Sequence, residues 1–127
     1  IKLKEVTEDV FRLIDKRDKS GIMRTLESNS SIPIIDIVDS RGYTILHMCC
    51  FKNLEDITNA VMDKALESVK EPAVHSWVNQ KTEDDGFTAL HFTSFRGNVL
   101  MARLLLDNGA DMTIKNNFGI NVLHVAA

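Results

Sequence analysis

"FTALHFTSFRGN", residues 87–98, places one histidine, three phenylalanines and one arginine within twelve positions. A histidine in such apolar company invites an active-site reading. The rest of the chain answers it, because the pattern recurs. "DSRGYTILHMCC" (39–50), "EDDGFTALHFTS" (83–94) and "NNFGINVLHVAA" (116–127) align on a glycine followed by a Leu-His pair. The glycines stand at 42, 86 and 119 and the histidines at 47, 91 and 124, so both series step by 44 and then by 33. Self-similarity at a period of a few tens of residues is the mark of stacked repeats, in which each unit buries the face its neighbour leaves open.

The residues of one unit explain its local shape. Thr88 is a good helix N-cap, since its hydroxyl can accept from an unpaired N–H of the first turn. Leu90, Thr93 and Ser94 follow at helical spacing, the small residues permitting close helix approach. Gly97-Asn98 ends that helix and caps the next. "VLMARLLLDN" (99–108) supplies an apolar second helix, and Gly109 stands where a left-handed C-terminal residue is expected. Each unit therefore reads as helix, turn, helix and extended finger.

With these residues set out, the chain resembles the ankyrin-repeat family, whose unit runs Gly-x-Thr-Pro-Leu-His-x-Ala-Ala, a second helix, then Gly-Ala-Asp. "GFTALHFTSFRGNVLMARLLLDNGADMTIK" (86–115) carries the full pattern. Proline is absent from all three tetrads, replaced by Ile45, Ala89 and Val122, and Asn121 stands for threonine in the third. The resemblance implies an all-α, ankyrin-repeat solenoid of stacked helix–turn–helix units with extended β-turn fingers. It implies a degenerate N-terminal capping repeat over 1–38, a repeat with an insertion near 64–78 over 39–82, a full repeat over 83–115, and the start of a truncated repeat over 116–127. It also assigns structural roles to Gly42, Thr44, His47, Gly86, Thr88, His91, Gly97, Gly109, Gly119 and His124. The histidine of each tetrad is expected to hydrogen-bond near the tetrad's start and to brace the finger.

Within the first 38 residues, Thr7 is expected to cap one helix, with Val10, Leu13 and Ile14 inward. Ser20 is expected to cap a second, with Ile22, Met23 and Leu26 inward. In the insertion, Ile57, Val61, Ala65 and Val69 keep a four-residue step. The second helix is therefore expected to run to about Val69, with a break before Pro72 and a short turn over Ala73–Val78. His75 and Trp77 are expected to clamp that turn.

Composition sets outer bounds on function. The chain has 127 residues, a net charge of −3 and a sequence pI near 5.8, with no run of five basic residues. That balance argues against a nucleic-acid surface, which depends on clustered positive charge. No apolar stretch in the sequence reaches the roughly 18–20 residues that a membrane-spanning helix needs. Cys49 and Cys50 are adjacent and point in different directions on a helix, so they are expected to be free thiols at the small positions of the tetrad. Free thiols favour the cytoplasm, or the cytosolic face of a membrane.

No metal site is expected from the histidine column. Zinc needs ligands about 2 Å away, whereas equivalent atoms of stacked units lie roughly 10 Å apart. No cofactor motif and no catalytic set is present; Asp84-Asp85 reads as a solvated finger tip. What remains are the positions a repeat does not need. By register these are Arg41, Tyr43, Phe51 and Lys52 in one unit, Asp85, Phe87, Phe95 and Arg96 in the next, and Phe118 and Ile120 in the third. Tyr43 and Phe87 are equivalent, as are Phe51 and Phe95, and Lys52 and Arg96. The resulting aromatic and basic ladders are candidate anchors for a protein or peptide partner on the concave face. The alternative is that the rings only seal adjacent fingers. The chain is expected to continue beyond Ala127. The stretch "GINVLHVAA" (119–127) also resembles ankyrin regions that precede DHHC-type S-acyltransferase modules, which would make this the regulatory or substrate-recruiting part of a membrane enzyme.

Overall fold

The structure, a computed structural model, describes residues 2–122. Among them are seven α-helices: α1 (Lys2–Asp15), α2 (Lys19–Ser28), α3 (Ile45–Phe51), α4 (Glu55–Ser68), α5 (Glu71–Val78), α6 (Ala89–Arg96) and α7 (Val99–Asp107). A single 3₁₀ turn covers Ile34–Asp36. The helices pack in three pairs joined by short turns, α1 with α2, α3 with α4, and α6 with α7. Helix α3 packs between α1 and α6 as an inner layer, and α4 packs between α2 and α7 as an outer one. Helix α5 lies against α4 and the 3₁₀ turn. Extended fingers join successive pairs; the first is closed by an isolated antiparallel bridge between Val38 and Thr44.

Apolar spacing accounts for the layers. Val6, Val10 and Ile14 follow one another by four residues and are buried in α1, while Ile57, Val61 and Ala65 do the same in α4. The innermost side chains include Ile14, Ile22, Ile45, Leu46, Leu90 and Leu105, and each such burial is worth about 1.5–3 kcal/mol. Cys49 and Cys50 are free and fully buried between the layers. Burial pushes the Cys49 thiol up to about 12 and raises Cys50 as well. Both behave as small apolar residues and not as nucleophiles.

Two expected caps are displaced. Thr7 does not start a helix: the buried series begins at Val6, a full turn before Val10, and α1 runs back to Lys2. The Thr7 hydroxyl donates instead to the Leu3 carbonyl at 2.7 Å. In α2 the cap is Asp18, whose carboxylate accepts from the Gly21 N–H at 3.0 Å, so Ser20 lies inside the helix. Asp18 precedes the first turn by the right distance to reach an unpaired N–H, which Ser20 does not.

In the insertion, α4 ends at Ser68 and α5 begins at Glu71, two residues before the expected turn. Pro72 falls in the first turn of α5, where a missing N–H leaves nothing unpaired. Trp77 is buried, and its indole N–H has no partner among the described residues. Asn79, just past α5, ties the insertion to the next unit. Its amide donates to the carbonyls of His75 and Gly109 and its oxygen accepts from the Asp111 N–H, at 2.7–3.0 Å.

Each inner helix hands over to its outer helix through one left-handed residue: Arg17 (φ +58°), Asn53 (φ +59°) and Gly97 (φ +70°). Gly97 and Gly86 separate backbone strain from steric crowding. Both have φ near +70°, a region that costs a side chain about 1–2 kcal/mol. A Cβ on Gly97 would meet nothing within 4 Å, whereas one on Gly86 would lie 2.5 Å from the Asn117 side chain. Urea unfolding should therefore show Gly97→Ala losing about 1 kcal/mol and Gly86→Ala losing at least about 1 kcal/mol more. Equal losses would contradict this packing of the fingers.

Candidate functional site

The site is built where the fingers meet the inner helices. Thr44 and Thr88 cap α3 and α6 by accepting from the N–H of His47 (3.1 Å) and His91 (3.3 Å). Each histidine returns the bond: its Nδ1 accepts from the N–H of the same threonine at 3.0 Å. A ring nitrogen that accepts from a backbone N–H carries no proton, so the neutral imidazole must hold its proton on Nε2. From there His47 donates to the Gln80 carbonyl at 2.7 Å and His91 to the Ile120 carbonyl at 2.9 Å. Both ring nitrogens are committed, Nδ1 to the start of its own helix and Nε2 to the next unit's finger. His124 lies outside the described residues.

Each finger is closed by a polar residue at its base that sequence reasoning overlooked. Asp39 accepts from the N–H groups of Arg41 and Tyr43, and Asn116 from those of Phe118 and Ile120, at 2.9–3.0 Å. Thr82 accepts from the Phe87 N–H at 3.0 Å. The available signal is a side-chain acceptor three or four residues before each finger glycine. Fingers then bond to one another: Glu83 N–H to the Arg41 carbonyl (3.3 Å) and Asn117 N–H to the Asp85 carbonyl (2.8 Å). The Tyr43 hydroxyl adds a 3.1 Å bond to Asp84. Burial and that carboxylate together raise the Tyr43 pKa, so the phenol stays protonated.

The rings gather around Phe92, a further residue the sequence pattern did not single out. It is 5% exposed, with the rings of Tyr43, Phe51 and Phe87 at 5.8, 5.6 and 5.4 Å. Tyr43 and Phe87 are half-buried and also lie against His47 and His91. They close the joint between finger and helix. Phe51 and Phe95, one helical turn beyond the histidines, are 47% and 51% exposed. Phe118 is 67% and Ile120 37% exposed on the third finger.

Lys52 and Arg96 are held by the preceding unit. Lys52 reaches Asp15 at 3.0 Å. Arg96 donates through Nε to the Phe51 carbonyl at 2.8 Å, with its guanidinium 5.8 Å from the Phe51 ring centre. Arg41 pairs with Asp39 on its own finger and covers the Tyr43 ring at 4.5 Å. Counting six residues back from Arg17, as from Asn53 to His47 and Gly97 to His91, places Phe11 at the histidine position of the first pair. Phenylalanine cannot brace a finger, and a cleft of about 560 Å³ opens there beside Leu3, Val38 and Ser40.

Among the described residues, no group of three or more histidine, cysteine or acidic side chains could hold a metal. No helix among them is long and apolar enough to cross a membrane.

Comparison with known proteins agrees with this geometry. Residues 85–117 match the ankyrin repeat. The helix pairs, the fingers and the Thr-His brackets are therefore those of an ankyrin-repeat fold. Among solved structures, one chain in the crystal structure of the yeast ribosomal protein Rps3 in complex with its chaperone Yar1 superposes with a TM-score of 0.82. It is 20% identical, and the match covers 98% of this chain and 83% of that one. No curated protein matches the chain. None of these comparisons bears on the resemblance of residues 119–127 to regions that precede DHHC-type modules.

The bracket makes ankyrin-fold stability depend on pH. Burial lowers the His47 pKa from 6.5 to about 4, and burial lowers His91 in the same direction. Because the folded value is depressed, the unfolded chain takes up the proton first. The stabilisation is complete above pH 6.5 and is lost as the pH falls toward 4, amounting to about 3 kcal/mol for His47 alone. Urea unfolding at a series of pH values should show this slope. His47→Gln should lower stability at pH 7 and flatten the slope; an unchanged slope would contradict the assignment.

Proposed function

We propose that the chain is a protein-interaction module that holds a protein or peptide partner in the groove between its fingers and the exposed ends of its inner helices. The observation that carries this reading is the pair Phe51 and Phe95. They occupy the same position in consecutive units, and each leaves about half of its ring in solvent. The joint beneath them is already sealed by Phe92, Tyr43 and Phe87, so closing the stack does not require their exposed faces. Exposed aromatic residues flanked by arginine are the usual anchors of protein interfaces.

The superposed chain comes from a complex between a ribosomal protein and its chaperone. That setting supports a binding role for the shared fold, although the fold alone names no partner. The committed histidines and the buried, unreactive thiols support a non-catalytic role for this region. Two free thiols also support a reducing compartment, on the cytosolic side of any membrane the parent protein meets. The parent-enzyme reading is tested separately by searching the gene beyond Ala127 for apolar spans and an Asp-His-His-Cys segment.

The test of the module is a double substitution, Phe51→Ala with Phe95→Ala. Capture of the native partner from its own cells should fall at least about tenfold, which is the cost of losing one well-buried aromatic anchor. The circular dichroism spectrum should remain that of the folded protein at the capture temperature, with the melting midpoint lowered by roughly ten degrees or less as the half-buried faces against Phe92 and Phe87 are lost. Full retention of capture by the folded variant would sink the proposed surface.

A further inference from the structure

The chemistry of the groove narrows the class of partner. This step rests on the interaction reading above and goes further, to the shape and charge of what is bound. Arg96 is exposed, and it has no carboxylate partner among the described residues. Its Nε is anchored to the Phe51 carbonyl, which leaves the outer N–H groups of a positioned, exposed guanidinium without a hydrogen-bond partner among the described residues. Phe51 lies on one side of it, and Phe95 is its neighbour in the chain. Arg96 thus reaches from α6, which carries Phe95, back to Phe51 on α3, and sets a fixed cation between the two units that present the two rings. On the finger side the second finger is net acidic at its tip: Glu83 and Asp84 are exposed with Asp85 beside them, against one exposed cation, Lys81.

We infer that the groove takes an amphipathic α-helix carrying two apolar residues seven positions apart, with a carboxylate between them that pairs with Arg96. The step between adjacent packed helices such as α3 and α6 is about 8–10 Å. On a partner helix, seven residues rise about 10.5 Å, and positions i, i+4 and i+7 share one face. On a strand, same-face residues recur every ~6.7 or ~13 Å, further from one step than the helix rise, and no same-face residue falls between them at ~6.7 Å. A helix therefore brings an apolar, an acidic and an apolar side chain onto Phe51, Arg96 and Phe95 together. Its flank toward the fingers is basic, to suit Glu83, Asp84 and Asp85. An Arg–carboxylate contact is the charge-assisted kind that fixes register.

Side-chain-stapled peptides of about 15 residues, long enough for four helical turns, test this against the intact chain by fluorescence anisotropy. The parent probe carries Leu at i and i+7, Glu at i+4 and Lys on one flank. It should bind, and changing its Glu to Lys should weaken binding about tenfold or more. Moving the second Leu to i+5, or breaking the helix with a central proline, should do the same. Arg96→Gln, shown to be folded by circular dichroism, should abolish the preference for Glu over Gln in the probe, while Arg96→Lys should keep part of it. If the Lys probe or the proline probe binds as tightly as the parent, or if no probe binds, the helix inference is overturned. In that case, loss of native-partner capture by the Phe51/Phe95 variant would still leave the interaction reading standing. Failure of both experiments would remove both.

Discussion

The structure depends on one repeated interaction, the two-way bond between the threonine that opens an inner helix and the histidine three residues later. It satisfies two backbone N–H groups at a buried helix start, then extends through Nε2–H to a carbonyl of the next unit. A net hydrogen bond is worth only about 1 kcal/mol, but an orphaned buried partner costs about 1–3 kcal/mol. Removing the imidazole would orphan the Thr44 N–H and the Gln80 carbonyl at once. The bracket works only with a neutral ring, because a proton on Nδ1 would face the Thr44 N–H. Burial and geometry therefore select the same protonation state.

The function proposed for the groove follows from what the bracket leaves over. With His47 and His91 holding the fingers, and Phe92 filling the joint beneath Tyr43 and Phe87, the stack closes without the outer faces of Phe51 and Phe95. Arg96 serves the joint through its Nε, and its outer N–H groups are the ones proposed to meet a partner. That division also explains why the first pair differs. Phe11 stands where a histidine would brace a finger, and an open cleft takes the place of a hydrogen-bonded joint.

Much of the fold was legible because it is written in residues that tolerate few substitutes. The glycines at 42, 86 and 119 all have φ between +73° and +78°, and such a requirement survives in the sequence as identity at a fixed spacing. The Thr-x-x-His bracket is legible for the same reason. The caps in the first 38 residues were harder to place, because Ser, Thr and Asp all serve at an N-cap and helix phase alone separates Asp18 from Ser20. Phe92 escaped notice because its equivalent is Met48; a packing position conserves volume and leaves no repeated letter. The basic ladder was visible as spacing, but spacing did not show that Lys52 and Arg96 each reach back to the preceding unit. That contact depends on the distance between stacked helices, which the sequence does not encode locally.

The bracket itself is most directly tested by long-range ¹H–¹⁵N correlation spectra of the imidazole rings across a pH titration. The account predicts that His47 and His91 are both in the Nε2–H form, with an unprotonated Nδ1. It further predicts that His47 stays in that form through pH 6.5 and begins to titrate only near its depressed value of about 4. A proton on Nδ1, or an ordinary titration of His47 at pH 6.5, would contradict it.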